Sequence, residues 1–264
     1  MKCYTSQEQK NPNPKSLRLV DELAASMQPH VRETCDWFNI YVEQQRRRIA
    51  HDIDYVQKHV RRGENILDVG ALPFLLTGSL EKLGYDVCGV DIEPGRSGFA
   101  GVIANLNLAV YKCNIEVEKL PFQDEEFDIV IFNEIFEHLR INLIFTMREV
   151  HRVLRTGGTL MLSTPNLRSL KGVANFLCRN RSFSCRGDVY DEYKTLEAQG
   201  CMGHVREYTS LEVQQFLESM GFMIKEIIFR GIYSEWYWTE ITIKLLPKLR
   251  PFMTIIATKK GSQE

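Results

Sequence analysis

The chain has 264 residues, of which 44% are hydrophobic and 25% are charged, a composition that is ordinary for a globular protein. Its 33 lysines and arginines nearly balance its 34 aspartates and glutamates, which gives a net charge of -1. A charge so close to zero creates no general field that would attract nucleic acid or an anionic membrane. A nucleic-acid partner is therefore not expected.

The amino terminus and the cysteines bear on where the protein works. Residues 1–10 are polar and lack the apolar centre of a secretory signal, and no apolar run approaches the roughly 18 residues of a transmembrane segment. The seven cysteines are scattered and include no Cys-x-x-Cys pair, which favours reduced thiols. We expect a cytoplasmic protein without a transmembrane segment.

The amino-terminal part of the chain is predicted to be helical. Residues 1–15 contain two prolines and predict a flexible lead, whereas residues 17–60 carry apolar side chains at helical spacing. These helices precede the first strand and are expected to cover one end of a sheet. We therefore divide the chain into an N-terminal helical extension, 1–60, and a main domain, 61–264.

The clearest local pattern is a βαβ unit near the start of the main domain. The run 65–70 and the run 86–92 are short, apolar and rich in β-branched residues, as buried parallel strands are. Between them, leucines at helical spacing end at Gly84, which fits a helix stop. Asp91 ends the second strand 21 residues after Gly70, where such folds bind the ribose of an adenosine-containing ligand.

Further strands alternate with helical patterns along the rest of the chain. Strands are predicted at 108–113, 127–132, 159–163, 222–229 and 251–258. Alternation of this kind predicts an α/β fold with a mostly parallel, Rossmann-like sheet and helices on both faces. The long segment 167–204 follows the carboxyl end of a strand and is expected to act as a lid or substrate cover.

Four segments, in this order and spacing, resemble the class I S-adenosylmethionine-dependent methyltransferases over residues 60–260. They are Ile66-Leu-Asp-Val-Gly70, Gly89-Val-Asp-Ile92, Leu120–Val130 and Val153–Asn166. The resemblance implies a seven-stranded sheet with an antiparallel last strand, and S-adenosylmethionine as the cofactor. It places the methionine moiety at the first turn, the ribose at Asp91 and the adenine at Asn114. The cofactor residues it implies are Asp68, Gly70, Ala71, Leu72, Asp91, Ile92, Asn114, Ile115 and Asn133.

The first turn departs from the family pattern Asp-x-Gly-x-Gly-x-Gly, because Leu72 and Phe74 stand where glycines are usual. The turn then either holds the cofactor with ordinary dihedral angles or is displaced, with weakened binding. The same change weighs against a nicotinamide-dependent dehydrogenase, which needs those glycines to seat a pyrophosphate.

Acidic and histidine residues follow the fourth predicted strand. If Asn133-Glu-Ile-Phe-Glu-His138 begins a helix, Glu134, Glu137 and His138 share one face of it. With the distant His204 they resemble the metal ligands of small-RNA 2′-O-methyltransferases, and in part those of ubiquinone-pathway O-methyltransferases. The predicted metal ligands are thus Glu134, Glu137, His138 and His204, for Mg²⁺, Mn²⁺ or Zn²⁺. Without a metal, His138, His204 or Glu134 would be the catalytic group, and a purely structural role for the histidines stays open.

These observations predict a methyltransferase that most readily methylates an oxygen of a small metabolite or glycan. RNA 2′-O-methylation is the alternative enzyme activity, and a non-catalytic binding protein is the alternative outside catalysis. The aromatic stretch 233–238 is compatible with core packing, a dimer contact, stacking on a substrate or contact with a membrane surface, and a homodimer is one predicted assembly.

Overall fold

The computed structural model describes residues 4–5, 12–31, 34–183, 189–199, 203–231 and 245–261. The aromatic stretch 233–238, and with it the candidate dimer contact, lies outside these ranges. Among the helices described, none combines the length and the apolar character needed to cross a membrane.

A single mixed sheet organises the described part of the chain. Its eight strands have the spatial order β1-β7-β8-β6-β5-β2-β3-β4. They are β1 (Tyr4–Thr5), β2 (Asn65–Val69), β3 (Asp86–Asp91), β4 (Ala109–Lys112), β5 (Phe127–Asn133), β6 (Leu154–Pro165), β7 (Phe222–Arg230) and β8 (Phe252–Lys259). Only β8 runs antiparallel to its neighbours, β6 and β7. The predicted Rossmann-like fold with an antiparallel last strand is therefore confirmed.

Eight α-helices are described around this sheet. They are α1 (Pro14–Met27), α2 (Cys35–His59), α3 (Leu75–Lys82), α4 (Phe99–Leu106), α5 (Leu143–Val153), α6 (Leu170–Arg179), α7 (Val189–Gln199) and α8 (Ser210–Ser219). Helices α1, α5, α6 and α8 begin with a side-chain cap, and Thr209 forms a complete capping box with Glu212 at the start of α8.

The direction in which successive strands are added to the sheet reverses between β2 and β5. From β2 the chain moves outward through β3 to β4, and it then returns to β5 on the other side of β2 and moves outward to β6. Loops at the carboxyl ends of β2 and β5 must therefore diverge, which leaves a crevice between them. This crevice is where the fold can accommodate a ligand.

The first residues differ from the predicted flexible lead. Tyr4 and Thr5 form a short strand that pairs in parallel with Ile227 and Ile228 of β7, and so adds an eighth strand to the seven predicted. Helix α1 begins at Pro14, where Asn13 accepts a hydrogen bond from the Lys15 amide. Proline is well suited to the first turn of a helix, which explains why it begins a helix here.

Two apolar clusters pack against the sheet. One is formed largely by β5, β6, β7, β8, α5 and α8, and includes Phe132, Val150 and Leu217. The other joins Leu23 of α1 and Ile53 of α2 to strand residues such as Ile66. The N-terminal helices thus share a core with the sheet, and the division at residue 60 stays a prediction.

Candidate active site

A cavity of about 560 Å³ opens at the carboxyl ends of β2, β3 and β5. Its wall contains most of the residues predicted to bind the cofactor: Gly70, Leu72, Asp91, Ile92, Asn114, Ile115 and Asn133. It also contains the predicted acceptor-side residues Glu134, Glu137, His138 and His204. The structure therefore brings the two predicted groups together in one cavity. Asp68 and Ala71 are not among the lining residues.

The turn after β2 is held against β3 by the backbone. The amides of Gly70 and Ala71 both donate to the carbonyl oxygen of Val90, at 2.8 and 3.0 Å. Gly70 has a φ of 71°, and a Cβ added there would overlap the side chain of Ile135. Both observations favour glycine at this position.

Phe74 takes the place of a glycine at the end of the same turn. Its φ of 66° lies in the left-handed region, so the first of the two alternatives, a turn with ordinary dihedral angles, does not hold at this residue. The side chain is fully buried and packs edge-on against Phe99, with ring centroids 6.0 Å apart. Burial of a large aromatic side chain offsets the cost of this backbone conformation. The turn therefore keeps a glycine-like shape without the glycine.

Asp91, at the end of β3, is positioned by two backbone amides. Its Oδ2 accepts a hydrogen bond from Leu72 and its Oδ1 accepts one from Glu93, both at 3.2 Å. Each carboxylate oxygen has a second lone pair, so Asp91 can still accept from ligand hydroxyl groups in the cavity. This chemistry fits a ribose with two free hydroxyls.

Asp68 lies behind the cavity wall. The side chain is buried, and its Oδ2 accepts a hydrogen bond of 2.7 Å from the Thr77 hydroxyl. Burial raises the pKa of Asp68 to about 7, because the charged form loses its hydration. The structure thus places this predicted cofactor residue where it supports the turn from behind.

The segment after β4 forms the next part of the wall. Asn114 accepts a hydrogen bond from the Glu116 amide at 3.2 Å, which makes a local turn, and its own amide donates to Glu118. The carbonyl oxygen of Ile115 accepts from the Thr146 hydroxyl of α5 at 3.0 Å. These contacts fix an exposed strand end next to Asp91.

The segment after β5 does not begin an α-helix, which was the condition for Glu134, Glu137 and His138 to share one face. Glu134 has a φ of 55°, and only the single 3₁₀ turn Phe136–His138 follows. Glu134, Glu137 and His138 consequently do not share one helix face. The Glu134 carboxylate accepts a hydrogen bond from the Ser163 hydroxyl at 2.8 Å, and its amide donates to the Ser163 carbonyl oxygen.

Glu137 points into the interior end of the cavity. The residue is 1% exposed, and its Oε2 accepts a hydrogen bond of 2.8 Å from Thr164. Its Oε1 has no hydrogen-bond partner in the part of the chain that the structure describes. Burial, together with the nearby Glu134 carboxylate, raises the pKa of Glu137 well above its ordinary value. A buried oxygen of this kind is stabilised by a proton, a hydrogen-bond donor or a cation.

His138 and His204 lie next to each other although they are far apart in the sequence. Gly203, which precedes His204 and binds His138 through its carbonyl oxygen, lies 65 residues after His138. The amides of Val205 and Arg206 donate to the carbonyl oxygen of Glu137, which ties the returning chain to the 3₁₀ turn. The two imidazole rings then lie edge to face, 4.9 Å apart between centroids. A sequence pattern could not show this contact, because it depends on where the chain returns after the insertion.

Each imidazole is oriented through its Nδ1 atom. His138 donates from Nδ1 to the Gly203 carbonyl oxygen at 2.8 Å, and His204 contacts Glu207 through Nδ1 at 3.3 Å. In the neutral rings the lone pair is therefore on Nε2. The Nε2 of His138 lies 3.9 Å from Oε1 of Glu137.

Glu137, His138 and His204 can provide three ligand atoms that all lie within 4.8 Å of one another. Glu134 is not part of this group among the residues described. Metal-bound histidines usually donate their second ring N–H to a carbonyl or carboxylate, and both histidines here have such a partner. The donor set of two imidazoles and one carboxylate suits Zn²⁺ or Mn²⁺ better than Mg²⁺.

Helix α2 supplies a wall of the cavity that the sequence interpretation missed. The lining residues from this helix are Trp37, Ile40, Tyr41, Gln44, Gln45 and Arg48. They recur every three or four positions and so occupy one face, a signal that is visible in the sequence. The pattern mixes aromatic, amide and basic side chains, and an apolar-period analysis does not single it out.

Comparisons with known proteins agree with this geometry. Residues 67–162 match a family model described as a methyltransferase domain. The mitochondrial ubiquinone biosynthesis O-methyltransferase of Rattus norvegicus is 27% identical over 190 residues, which cover 68% of this chain and 51% of that protein. The ubiquinone biosynthesis O-methyltransferase of Sinorhizobium medicae is 30% identical over 137 residues, covering 48% of this chain and 54% of that protein.

A solved structure shares the fold. The crystal structure of a SAM-dependent methyltransferase from Archaeoglobus fulgidus has a TM-score of 0.58 at 18% identity, covering 84% of this chain and 99% of that one. The chain spans about half the length of the curated relatives it matches. Residues 67–162 therefore form a methyltransferase domain, in a fold similar to that of a SAM-dependent methyltransferase.

Proposed function

We propose that the protein is an S-adenosylmethionine-dependent O-methyltransferase acting on a small acceptor. The observation that carries the proposal is the common cavity: the residues suited to the cofactor and the Glu137–His138–His204 cluster line the same 560 Å³ space. Relatives that are named ubiquinone biosynthesis O-methyltransferases support an oxygen atom as the acceptor. The acceptor itself is left at the level of its chemistry, a hydroxyl group on a metabolite or glycan.

The cofactor side of the cavity fits the adenosine part of S-adenosylmethionine. Asp91 can accept from both ribose hydroxyls, while the wall at Asn114 and Ile115 provides a polar edge and an apolar surface for a base. A sulfonium cofactor contains no phosphate, so the turn at Leu72 needs no row of amides to seat one. When bound, the cofactor supplies an already activated methyl group.

The acceptor side is suited to removing a proton from a hydroxyl group. The acceptor oxygen forms a bond to the methyl carbon as the carbon–sulfur bond breaks, and the sulfur keeps that electron pair. In the site without a cation, the hydroxyl proton passes to Nε2 of His138, whose Nδ1–H is already committed to Gly203. Placement of the oxygen in line with the methyl group accounts for much of the expected acceleration.

A divalent cation is part of the proposal. The unpartnered Oε1 of Glu137 and the partners that orient the two imidazoles through Nδ1 are the observations that fit one. Glu137, His138 and His204 would hold the ion. A cation bound there would orient the acceptor hydroxyl and lower its pKa.

The size of the cavity and the net charge of the chain favour a small acceptor. Ligand cavities for small molecules commonly measure about 300–1,000 Å³, a range that includes the cavity here. Thr195 of α7 lines it, which supports the proposed covering role of the 167–204 segment. The net charge of -1 supports neither RNA as the acceptor nor a general attraction to polyanions.

Methyl transfer from radiolabelled S-adenosylmethionine to a panel of phenols, catechols and sugars tests this function. We expect label in the ether product of at least one class, and much less label with Asp91→Ala. The matched control is Asp86→Ala at the other end of β3. A protein that binds the cofactor but labels only nitrogen or carbon acceptors would contradict oxygen transfer.

A further inference from the structure

A fully buried carboxylate on α2 connects three separate parts of the structure. Asp52 is 0% exposed and accepts hydrogen bonds from Arg230 Nη1 at 2.7 Å, Asn133 Nδ2 at 3.0 Å and Arg48 Nη1 at 3.3 Å. Arg230 ends β7 and Asn133 ends β5, whereas Arg48 lies one turn before Asp52 on the same helix. Two of these three donors, Arg48 and Asn133, line the cavity, and Asp52 itself does not.

The contact with Asp52 determines how Asn133 is oriented. A carboxylate can only accept hydrogen bonds, so the amide nitrogen of Asn133 must face it and the carbonyl oxygen must face the opposite side. That Oδ1 atom is buried and has no hydrogen-bond partner among the described residues. Buried acceptors without a partner are rare and costly, which indicates a ligand donor at this point of the cavity wall.

Arg48 is held just as firmly. Besides the Asp52 contact, its Nε donates to Gln45 at 2.7 Å and its Nη2 lies 3.4 Å from the Tyr41 hydroxyl. The planar guanidinium is therefore fixed in the cavity wall by three partners. A guanidinium in a fixed orientation is well suited to bind a carboxylate.

We infer that Asp52 is a positioning residue for the amino-acid end of the cofactor. It orients Asn133 Oδ1 as an acceptor for the α-ammonium group and Arg48 as a donor for the α-carboxylate. Asp52 makes neither contact itself. The inference rests on the proposed use of S-adenosylmethionine, and it goes further by giving the buried Asp52, which touches no ligand, a part in cofactor binding.

The competing explanation is that Asp52 only ties α2 to the sheet through Arg230. The two explanations differ in which ligands they affect. A structural role would disturb binding of every ligand in the cavity, whereas a positioning role would affect only ligands that carry the amino-acid group.

Calorimetric titration with two nucleosides separates the two explanations. S-Adenosylhomocysteine carries the amino-acid group, whereas 5′-methylthioadenosine shares the nucleoside and the thioether but lacks that group. Asp52→Asn is expected to raise the Kd for S-adenosylhomocysteine about tenfold or more, which is the effect of losing one oriented contact to a charged group. The Kd for methylthioadenosine should change by less than about twofold.

The matched control is Asp54→Asn on the same helix. Asp54 accepts from the Asn13 amide at 2.8 Å and the Ser16 hydroxyl at 2.6 Å, and it is absent from the cavity wall. Both Kd values should stay unchanged in this variant. If Asp52→Asn does not fold, Asp52→Glu keeps the charge but displaces the carboxylate, and the same selective loss is expected.

Equal weakening of both nucleosides, or no weakening of either, would overturn the positioning role. The wild-type protein distinguishes this failure from failure of the proposed function. If the wild-type protein binds neither nucleoside, the cofactor assignment itself is wrong, whereas wild-type binding with an unselective Asp52 effect removes only the inference.

Discussion

The two walls of the cavity are built in different ways. The cofactor wall consists of regular strand ends, where the turn after β2 and Asp91 of β3 lie side by side because their strands pair. The acceptor wall consists of irregular backbone, a 3₁₀ turn after β5 and the chain that returns at Gly203. Strand pairing fixes the first wall, whereas the second depends on a few specific hydrogen bonds.

The walls are nevertheless in direct contact. Ile135, in the acceptor segment, occupies the space that a Cβ at Gly70 would need. A side chain added at Gly70 would therefore displace the side chain of Ile135. If the two walls have separate tasks, substitutions should divide into those that affect the chemical step and those that affect cofactor affinity.

The largest effect is expected at His138. His138→Gln removes the proposed base, and the maximum rate should fall by a factor of about 10² to 10⁴. Affinity for S-adenosylhomocysteine should change little, since the ring lies on the acceptor wall. Steady-state kinetics and calorimetry on the same preparation check this. His151→Gln is the control, because that ring packs against Phe222; an unchanged rate in His138→Gln would remove the base assignment.

The next effect is the loss of the ribose contact. Asp91→Ala should weaken S-adenosylhomocysteine binding by a factor of about 10 to 100, the range for hydrogen bonds to a charged group. At saturating cofactor the maximum rate should recover substantially. Calorimetry and kinetics over a wide cofactor range measure the two quantities, with Asp86→Ala as the control. An affinity equal to that of the wild type would refute the ribose role.

Metal removal tests the acceptor wall independently. Exhaustive chelation should lower activity, and Mn²⁺ or Zn²⁺ should restore it. Glu137→Gln should reduce the affinity for the added ion about tenfold or more. Metal analysis and titration of activity with the ion check both statements. Full activity after chelation, in the wild type and in Glu137→Gln, would contradict the metal. His138 would then act without one.

The smallest expected effect concerns stability at the cofactor turn. Burial raises the pKa of Asp68 to about 7 from 3.8, so its folded form binds a proton more tightly than its unfolded form. The stabilising contribution is complete below the unfolded pKa and is lost as the pH rises through about 7. The free energy of unfolding of the wild type, relative to that of Asp68→Asn, should therefore decrease as the pH rises from about 5 to about 8. Urea unfolding at both pH values measures it, and a difference that is independent of pH would contradict the raised pKa.

Sequence patterns predicted one wall much better than the other. The strands at 65–69 and 86–91 could be located because buried parallel strands are short apolar runs, and Asp91 followed from its position at a strand end. The left-handed Phe74 and Glu134 could not be predicted, since hydrophobic periodicity carries no information about φ in a turn.

The remaining differences come from long-range packing. The role of Asp52 could not be predicted from the helical pattern of α2. Its partners Asn133 and Arg230 are 81 and 178 residues away in the sequence. The role of α2 as a cavity wall has the same origin: its polar face becomes a lining only when the sheet edge lies opposite. Such contacts belong to the tertiary structure and leave only a weak local signal.

Calorimetric titration of the wild-type protein with S-adenosylhomocysteine tests the central claim most directly. One molecule should bind per chain, and the bound protein should unfold at a higher temperature, because a ligand that binds only the folded state stabilises it. A titration without heat, together with an unchanged unfolding temperature, would contradict the assignment of this cavity to the cofactor.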